Sequence, residues 1–517
     1  MNLRVGMIGF SLGWEELLRQ EGVPYGAVPI GEGGPSEFSV IIAARVLTPH
    51  EIAYLKEFLR SGGAVLGYAG FITGLVESTP DPVRLRYLCQ DESSLMGGIS
   101  LMDIETEGVL PREANCLRTQ ENVFCVFFGE VHGGWGVVLP FDPANAIEDF
   151  RAAERYFYAR PERLPSERVS RVGKGEVQHL IHAALENLHH VRGLPYARLA
   201  QFPAGWRGVF ALRVDTDGCD EVEVKELSSI AEDSGLRFSW FVDVRSHESW
   251  LSRFTELRGH EVGLHCYEHR IFLDGPRDAE NVRHGRELLE KSGVSVLSYA
   301  APFGFWSPDL GRIIDEQGFS YSSEFSWAFD TVPQRPVIGA MRFKTLQVPV
   351  HPVSIGNLRR AGFTSAQMSA YYSDTAERKI QRGEPLFFYH HPGHREWDVV
   401  RELCRLSKGN GILPLTLGEY AQWWQRRELI KPVIQIDGAT IAGSDAGGTS
   451  PVDIRFDVTL ARGKSALLPC GAHEQLDRLS WSTAPAFRPP SDIKRIREFD
   501  LRGEIGRQFT RLQRRFL

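Results

Sequence analysis

The segment Gly259-His260-Glu261-Val262-Gly263-Leu264-His265-Cys266-Tyr267-Glu268-His269 carries two histidines at i and i+4, and Asp215-Thr216-Asp217-Gly218 precedes it in the chain. Histidines four apart can face the same way on one helical turn, and a short acidic loop can add an oxygen ligand. Together they make the ligand set of an open divalent-metal site, with three protein groups and room for water. A lone histidine is more often a satisfied core residue; two at ligand spacing beside an acidic loop point to metal. The expectation is a metal-dependent hydrolase.

Phe210-Ala211-Leu212-Arg213-Val214 reads as a buried strand, so Asp215 and Asp217 emerge at its C-terminal end. Barrel strands present catalytic groups at that end. In such a pair one carboxylate can bind metal while the other stays free as a base. Two other motifs compete. His265-Cys266-Tyr267-Glu268-His269 also fits the protease pattern H-x-x-E-H, which would make Glu268 the base and leave the acidic loop unexplained. Gly9-Phe10-Ser11-Leu12-Gly13 fits G-x-S-x-G, but on a first strand such a match usually marks a glycine-rich turn.

Residues 1–150 read as an α/β unit. Leu3 to Phe10, Phe38 to Ala44 and Ala64 to Ala69 are apolar strand-like runs, alternating with helices at Trp14 to Glu21 and from Thr48-Pro49-His50-Glu51 to about Arg60. That last tetrapeptide is a capping box with proline at the first helical position. The alternation implies a parallel sheet with helices on its faces. Val123 to Phe128 and Trp135 to Leu139 flank a glycine-rich turn, as in a hairpin. Residues 151–205 read as a helical connector with a stripe of Leu180, Ile181, Ala184, Leu185 and Leu188. Strand-loop-helix texture resumes over 206–425. Beyond Lys431, short strand-like runs between Gly, Ser and Asp turns suggest a small all-β module over 431–517. Its basic end sets Ile505, Phe509, Leu512 and Phe516 on one helical face among arginines. That face suits docking on the protein itself or peripheral contact with an anionic membrane.

At 517 residues more than one core is required. A net charge of -7 gives no sign of a nucleic-acid partner, since phosphate binding usually needs a basic surface. Seven scattered cysteines without a C-x-x-C pair suit a reducing compartment. The first residues read as a strand with no secretory pattern after it, and no apolar run reaches spanning length, so a cytoplasmic enzyme is expected.

Gly259 to His269 matches, residue for residue, the second motif of the polysaccharide deacetylase family (NodB homology domain, carbohydrate esterase family 4), and residues 205–425 resemble that family. The resemblance implies a distorted (β/α)7-type barrel. It also implies Asp215 as base, Asp217, His265 and His269 as ligands of a divalent metal, zinc by preference, and the Phe303 backbone N–H as an oxyanion donor. The first motif departs from the usual T-F-D-D-G and resembles members with a spaced D-x-D. In Ala300-Ala301-Pro302-Phe303-Gly304, Ala300 stands where the family carries the arginine that orients the base. Leu386-Phe387-Phe388-Tyr389-His390-His391-Pro392 matches the late motif that supplies the acid; strand alternation lets only one of His390 and His391 face the site, and His391 is favoured. His394 is a further candidate. The weak fourth motif is assigned to Trp327, near Glu324 and Asp330. Residues 1–150 resemble the flavodoxin-like layer of amidotransferase-type domains; with no cysteine at an elbow they are read as non-catalytic.

The implied activity is de-N-acetylation of an N-acetylated sugar, nucleotide- or lipid-linked, in polysaccharide or glycoconjugate biosynthesis. Deformylation of a formamido sugar is an alternative in the same chemistry. A carbohydrate-binding protein impaired by Ala300 is an alternative outside it.

Overall fold

The computed structural model describes residues 1–30, 37–90, 96–272, 274–409, 411–449, 451–483 and 487–497. The basic stretch through Ile505, Phe509, Leu512 and Phe516 lies outside them.

Alternating apolar residues of the first strands serve two cores at once. Val40 and Ile42 pack with Trp14, Leu17, Val177 and Leu180 on one face, while Ile41 and Ala43 pack with Leu55, Phe58 and Leu59 on the other. Strands covered on both faces read as unbroken hydrophobic runs. The sheet has nine strands. Tyr25–Ala27, Val5–Ile8, Val40–Ala43, Ala64–Tyr68 and Gly134–Leu139 form its parallel part, and Phe124–Val131, Cys116–Thr119, Val83–Cys89 and Leu101–Gly108 continue it antiparallel. Thr48 caps Pro49–Arg60 through Glu51, with both capping-box bonds present. Ser11 is likewise a cap, accepting from the Trp14 amide at 3.4 Å. Its flanking glycines are steric necessities: Gly9 has φ 87°, and a Cβ on Gly13 would come within 2.8 Å of Ala144. G-x-S-x-G here is turn geometry.

The 151–205 stretch differs from a purely helical connector. An antiparallel hairpin, Ala152–Tyr156 with Ser166–Ser170, precedes the helix Lys174–His190, and the strand Tyr196–Leu199 comes after it. The hairpin shows no apolar rhythm because charged residues fill its cross-strand positions: Glu154 stands opposite Arg168, and Arg155 opposite Glu167. Tyr196–Leu199 pairs with Arg455–Leu460, in a four-stranded sheet completed by Lys464–Pro469 and Ser482–Thr483. A second small sheet holds Pro432–Asp437, Thr440–Asp445 and Ala472–Gln475. Leu3 N–H donates to Ile434 O at 2.9 Å, so the β-rich region past 431 is sewn to the first residues. Arg427 is fully buried and donates to Ala200 O at 2.8 Å, Leu199 O at 3.0 Å and Gln20 O at 3.2 Å. One guanidinium thus satisfies carbonyls at the end of the helix Leu12–Glu21 and of the strand Tyr196–Leu199.

The central sheet is parallel and curled. Its order is Leu346–Gln347, Tyr321–Ser322, Ser298–Tyr299, Glu261–Cys266, Ser239–Asp243, Gly208–Asp215, Leu386–His390, with Ile412–Pro414 beside the start of Gly208–Asp215. Between the two edges His351 N–H donates to Phe387 O at 2.8 Å. Three of the strands are two residues long, so the closure is irregular. Helices including Glu221–Ser234, Gly275–Lys291, Pro308–Glu316, Ser365–Arg382 and Leu417–Leu429 surround it. Among the described residues, no helix is long and apolar enough to cross a membrane.

Candidate active site

Asp215 ends its strand, and Asp217 lies in the loop above it. His265 sits near the end of Glu261–Cys266, and His269 lies in the bends after that strand. The i, i+4 pair therefore faces one way across a strand-to-loop turn, not on a helical turn. Asp217 Oδ1 lies 3.0 Å from His265 Nε2, and Oδ2 lies 3.1 Å from His269 Nε2. One ligand atom of each residue falls within 4.8 Å of the others.

The donor chemistry fits a divalent cation. Asp217 Oδ1, His265 Nε2 and His269 Nε2 are buried, and none has a hydrogen bond of good geometry despite their closeness. Buried polar atoms are normally satisfied, so three orphans aimed at one point fit a metal better than one another. The Ala300 carbonyl stands 2.5 Å from His265 Nδ1, which holds the proton there and frees Nε2 as a ligand. Burial pulls His265 down, but the Asp217 carboxylate outweighs it and lifts the imidazole to about 9. Burial raises Asp217, and the charges of His265 and His391 more than reverse that, holding the carboxyl well below its ordinary range. A cation placed among these atoms substitutes for those protons.

Asp215 is 2 % exposed and held by Arg213, whose Nε and Nη2 each donate at 2.7 Å to its two oxygens. Arg213 itself is 0 % exposed, and its Nη1 reaches the Ser323 carbonyl. Two residues apart on a strand means the same face of the sheet. Asp215 is thus oriented by a guanidinium from its own strand, although Ala300 stands where the resemblance led one to expect the arginine. Sequence reading passed over Arg213 as part of an apolar run, although a charge two positions before the aspartate was the available signal.

A cavity of about 350 Å³ opens above these groups, lined by Asp215, Asp217, His265, His269, Phe303, Tyr389, His391 and His394 among others. His391 Nε2 stands 3.4 Å from Asp217 Oδ2. Burial lowers the His391 imidazole despite the carboxylates of Asp217 and Asp215. His390 does not line the cavity; it is 0 % exposed and packs beside Trp397. Burial, then the neighbouring His391, push His394 down to about 3. Phe303 has φ 58°, and its ring meets that of His269 edge-on at 4.6 Å.

Several sequence candidates serve the scaffold. Trp327 is buried against Trp306 at 4.5 Å and under the Lys174 ammonium, away from the cavity. Glu324 accepts from the Ala301 N–H at 3.0 Å, and Asp330 pairs with His351 and Lys379. Glu268 turns to Arg245. His260 accepts from the Phe238 amide at 2.9 Å, and Glu261 accepts from Ser298, Tyr321 and the Gly418 N–H. Both motif residues therefore hold the lower end of the sheet. Absent from the sequence reading were Glu167, Asn357 and Arg360, which also line the cavity.

No family model and no curated protein matches the chain. Similar solved structures include proteins named provisionally as polysaccharide deacetylases. One is from Mycobacterium smegmatis, with 18% identity, a TM-score of 0.39, and coverage of 44% of this chain and 93% of that one. Another, from Pseudomonas aeruginosa PAO1, has 15% identity, a TM-score of 0.38, and coverage of 43% and 92%. The PuuE allantoinase is a third, with 14% identity, a TM-score of 0.37, and coverage of 44% and 93%.

Proposed function

We propose that residues 206–425 are a polysaccharide-deacetylase-type hydrolase domain that cleaves the amide of an N-acetylated sugar, with zinc or another divalent metal held by Asp217, His265 and His269. The observation that carries this reading is the convergence of three orphaned ligand atoms in a cavity that also holds a carboxylate clamped by a buried arginine. Ligand cavities run from about 300 to 1,000 Å³, so one of about 350 Å³ suits a single sugar unit better than a buried chain.

When bound, the metal supplies Lewis-acid activation of water and of the acyl carbonyl. Asp215 is the base. Arg213 occupies one acceptor position on each carboxylate oxygen, leaving a second free to take the proton of the attacking water. His391, which follows the strand paired with that of Asp215, is the acid that delivers a proton to the departing nitrogen. Burial makes its imidazolium a stronger acid than a free one. The Phe303 backbone N–H is the donor assigned to the developing oxyanion. Acetate and an amino sugar leave. Arg213 also removes the motive for a binding-only protein, because the orienting arginine is relocated and not lost.

The test is metal content, then turnover. Parent protein should hold about one metal per chain, and Asp217→Ala and His269→Ala should hold almost none. N-acetyl and N-formyl sugars are then screened for released acid; acetate supports the reading, and formate alone would mean a deformylase. A parent that takes up no zinc overturns the hydrolase assignment.

A further inference from the structure

Glu167 belongs to the hairpin strand Ser166–Ser170, outside residues 206–425, yet it lines the same cavity as Asp217, His265 and His269. It is 9 % exposed, and among the described residues it forms no salt bridge, the nearby Arg155 pairing instead with Asp103. Its Oε2 accepts from Asn357 Nδ2 at 2.9 Å, and its Oε1 accepts from the Arg168 amide at 2.8 Å. A carboxylate offers about four acceptor positions, so half of its capacity is unused.

Its support is fixed on every side. Asn357 Nδ2 also donates to Ser166 O at 3.0 Å, while Asn357 Oδ1 accepts from Ser354 N at 2.9 Å and Ser354 Oγ at 2.6 Å. With both ends of the amide committed, Asn357 acts as a clamp that sets Glu167 in place. Tyr389 stands near enough that its phenol is pushed up, by burial first and by the Glu167 charge second. The Tyr389 ring is 5.3 Å from that of His391, so Glu167 belongs to the electrostatic surroundings of the reacting centre. Burying a carboxylate without a counter-charge is costly, and a purely structural anchor for Asn357 would not need one.

We propose that Glu167 is a substrate-binding residue lent to the barrel by the preceding segment: its carboxylate accepts a hydrogen bond from a ring hydroxyl of the sugar whose acylamino group faces Asp217, His265 and His269. This rests on the amide-hydrolase reading above. It also gives the 151–205 region a place in specificity, since the barrel alone leaves that wall of the cavity without an acceptor at Glu167.

The test uses the full-length, zinc-loaded protein with methyl glycosides and nucleotide-linked forms of N-acetylhexosamines, and with 4-nitrophenyl acetate, an acetyl ester that has no hydroxyl. Glu167→Gln keeps the side-chain shape and the bond from Asn357. It should raise KM for the sugar about tenfold or more, the value of one hydrogen bond to a charged group, with kcat within about threefold. Hydrolysis of the aryl ester, zinc content and Tm should not change, and Glu167→Asp should recover part of the loss. An unchanged KM on a sugar that the parent does hydrolyse would overturn this proposal alone. Equal losses on sugar and aryl ester would overturn it too, assigning Glu167 to support of the catalytic groups. A parent that cleaves the aryl ester but no sugar would sink the sugar reading, and this inference with it.

Discussion

The Arg213 guanidinium lies along both oxygens of Asp215, 2.7 Å from each, and the two side chains leave one strand two positions apart. Asp215, the proposed base, and the group that aims it are thus a single unit, set by strand geometry. Arg213→Lys keeps a charge but not the fork, and should lower kcat by about a hundredfold through misplacement of Asp215. Zinc content should be unaffected. Steady-state kinetics beside metal analysis checks this; undiminished kcat would leave Asp215 without need of orientation.

Arg213→Ala goes further, because it strands a buried carboxylate. Removing one partner of a buried pair costs about 3–5 kcal/mol. Denaturant unfolding should show a loss of that order, and Arg213→Ala/Asp215→Ala should recover a large part of it. A double variant no more stable than the single one would place the cost elsewhere.

Position 300 should not accept an arginine. Ala300 is 0 % exposed, its carbonyl already serves His265, and the clamp on Asp215 is occupied. Ala300→Arg should therefore destabilise by about 1–3 kcal/mol through overpacking and lower zinc affinity by turning His265. Thermal unfolding and zinc titration read the two effects separately.

His189 is buried, with Nδ1 2.7 Å from Leu185 O and Nε2 2.9 Å from Ser39 Oγ, and burial pushes it down to about 4. Unfolded, it takes up a proton near pH 6.5; folded, only near 4. Between those values the unfolded chain binds more protons, so stability is complete above about 6.5 and falls as the pH drops. The fall attributable to His189 is as much as about 3 kcal/mol. His189→Gln should make the stability–pH curve shallower in that window, with His179 and His190, also lowered, supplying the remaining slope.

Separating residues 206–425 from the β-rich region beyond residue 431 should fail. Ile434, Ile441, Phe456, Val458 and Leu468 share one core with the strands around Asp215, and Tyr196–Leu199 takes its partner from Arg455–Leu460. A chain ending at residue 430 should be insoluble or lose a large part of its Tm. A well-folded fragment of that length would show the β-rich region to be an independent appendage.

Periodicity and ligand chemistry decide how much of this molecule is legible in its sequence. Asp217, His265 and His269 announce themselves because few structural roles require that set at that spacing, and the apolar runs of Val40–Ala43 and of residues 209–212 mark strands buried on both faces. The i, i+4 spacing of the histidines was ambiguous, since a helical turn and a strand-to-loop turn both bring them together. Glu167 was illegible for a different reason. Its strand carries charged residues at the cross-strand positions of a hairpin, so no apolar rhythm betrays it, and its meeting with Asn357 joins segments far apart in the chain. Arg213 was legible in principle: a charge inside a run buried throughout needs a partner, and period two points to Asp215.

The bond from Leu3 to Ile434 has a consequence in time. During synthesis at about 5–20 residues per second, the partner of the first residues emerges only after some tens of seconds. A shorter wait applies to Tyr196–Leu199, whose neighbour is Arg455–Leu460. Until then each offers unpaired amides and carbonyls to any other extended chain. Slow translation and high expression should therefore favour aggregates, and folding yield should rise when nascent chains are kept dilute.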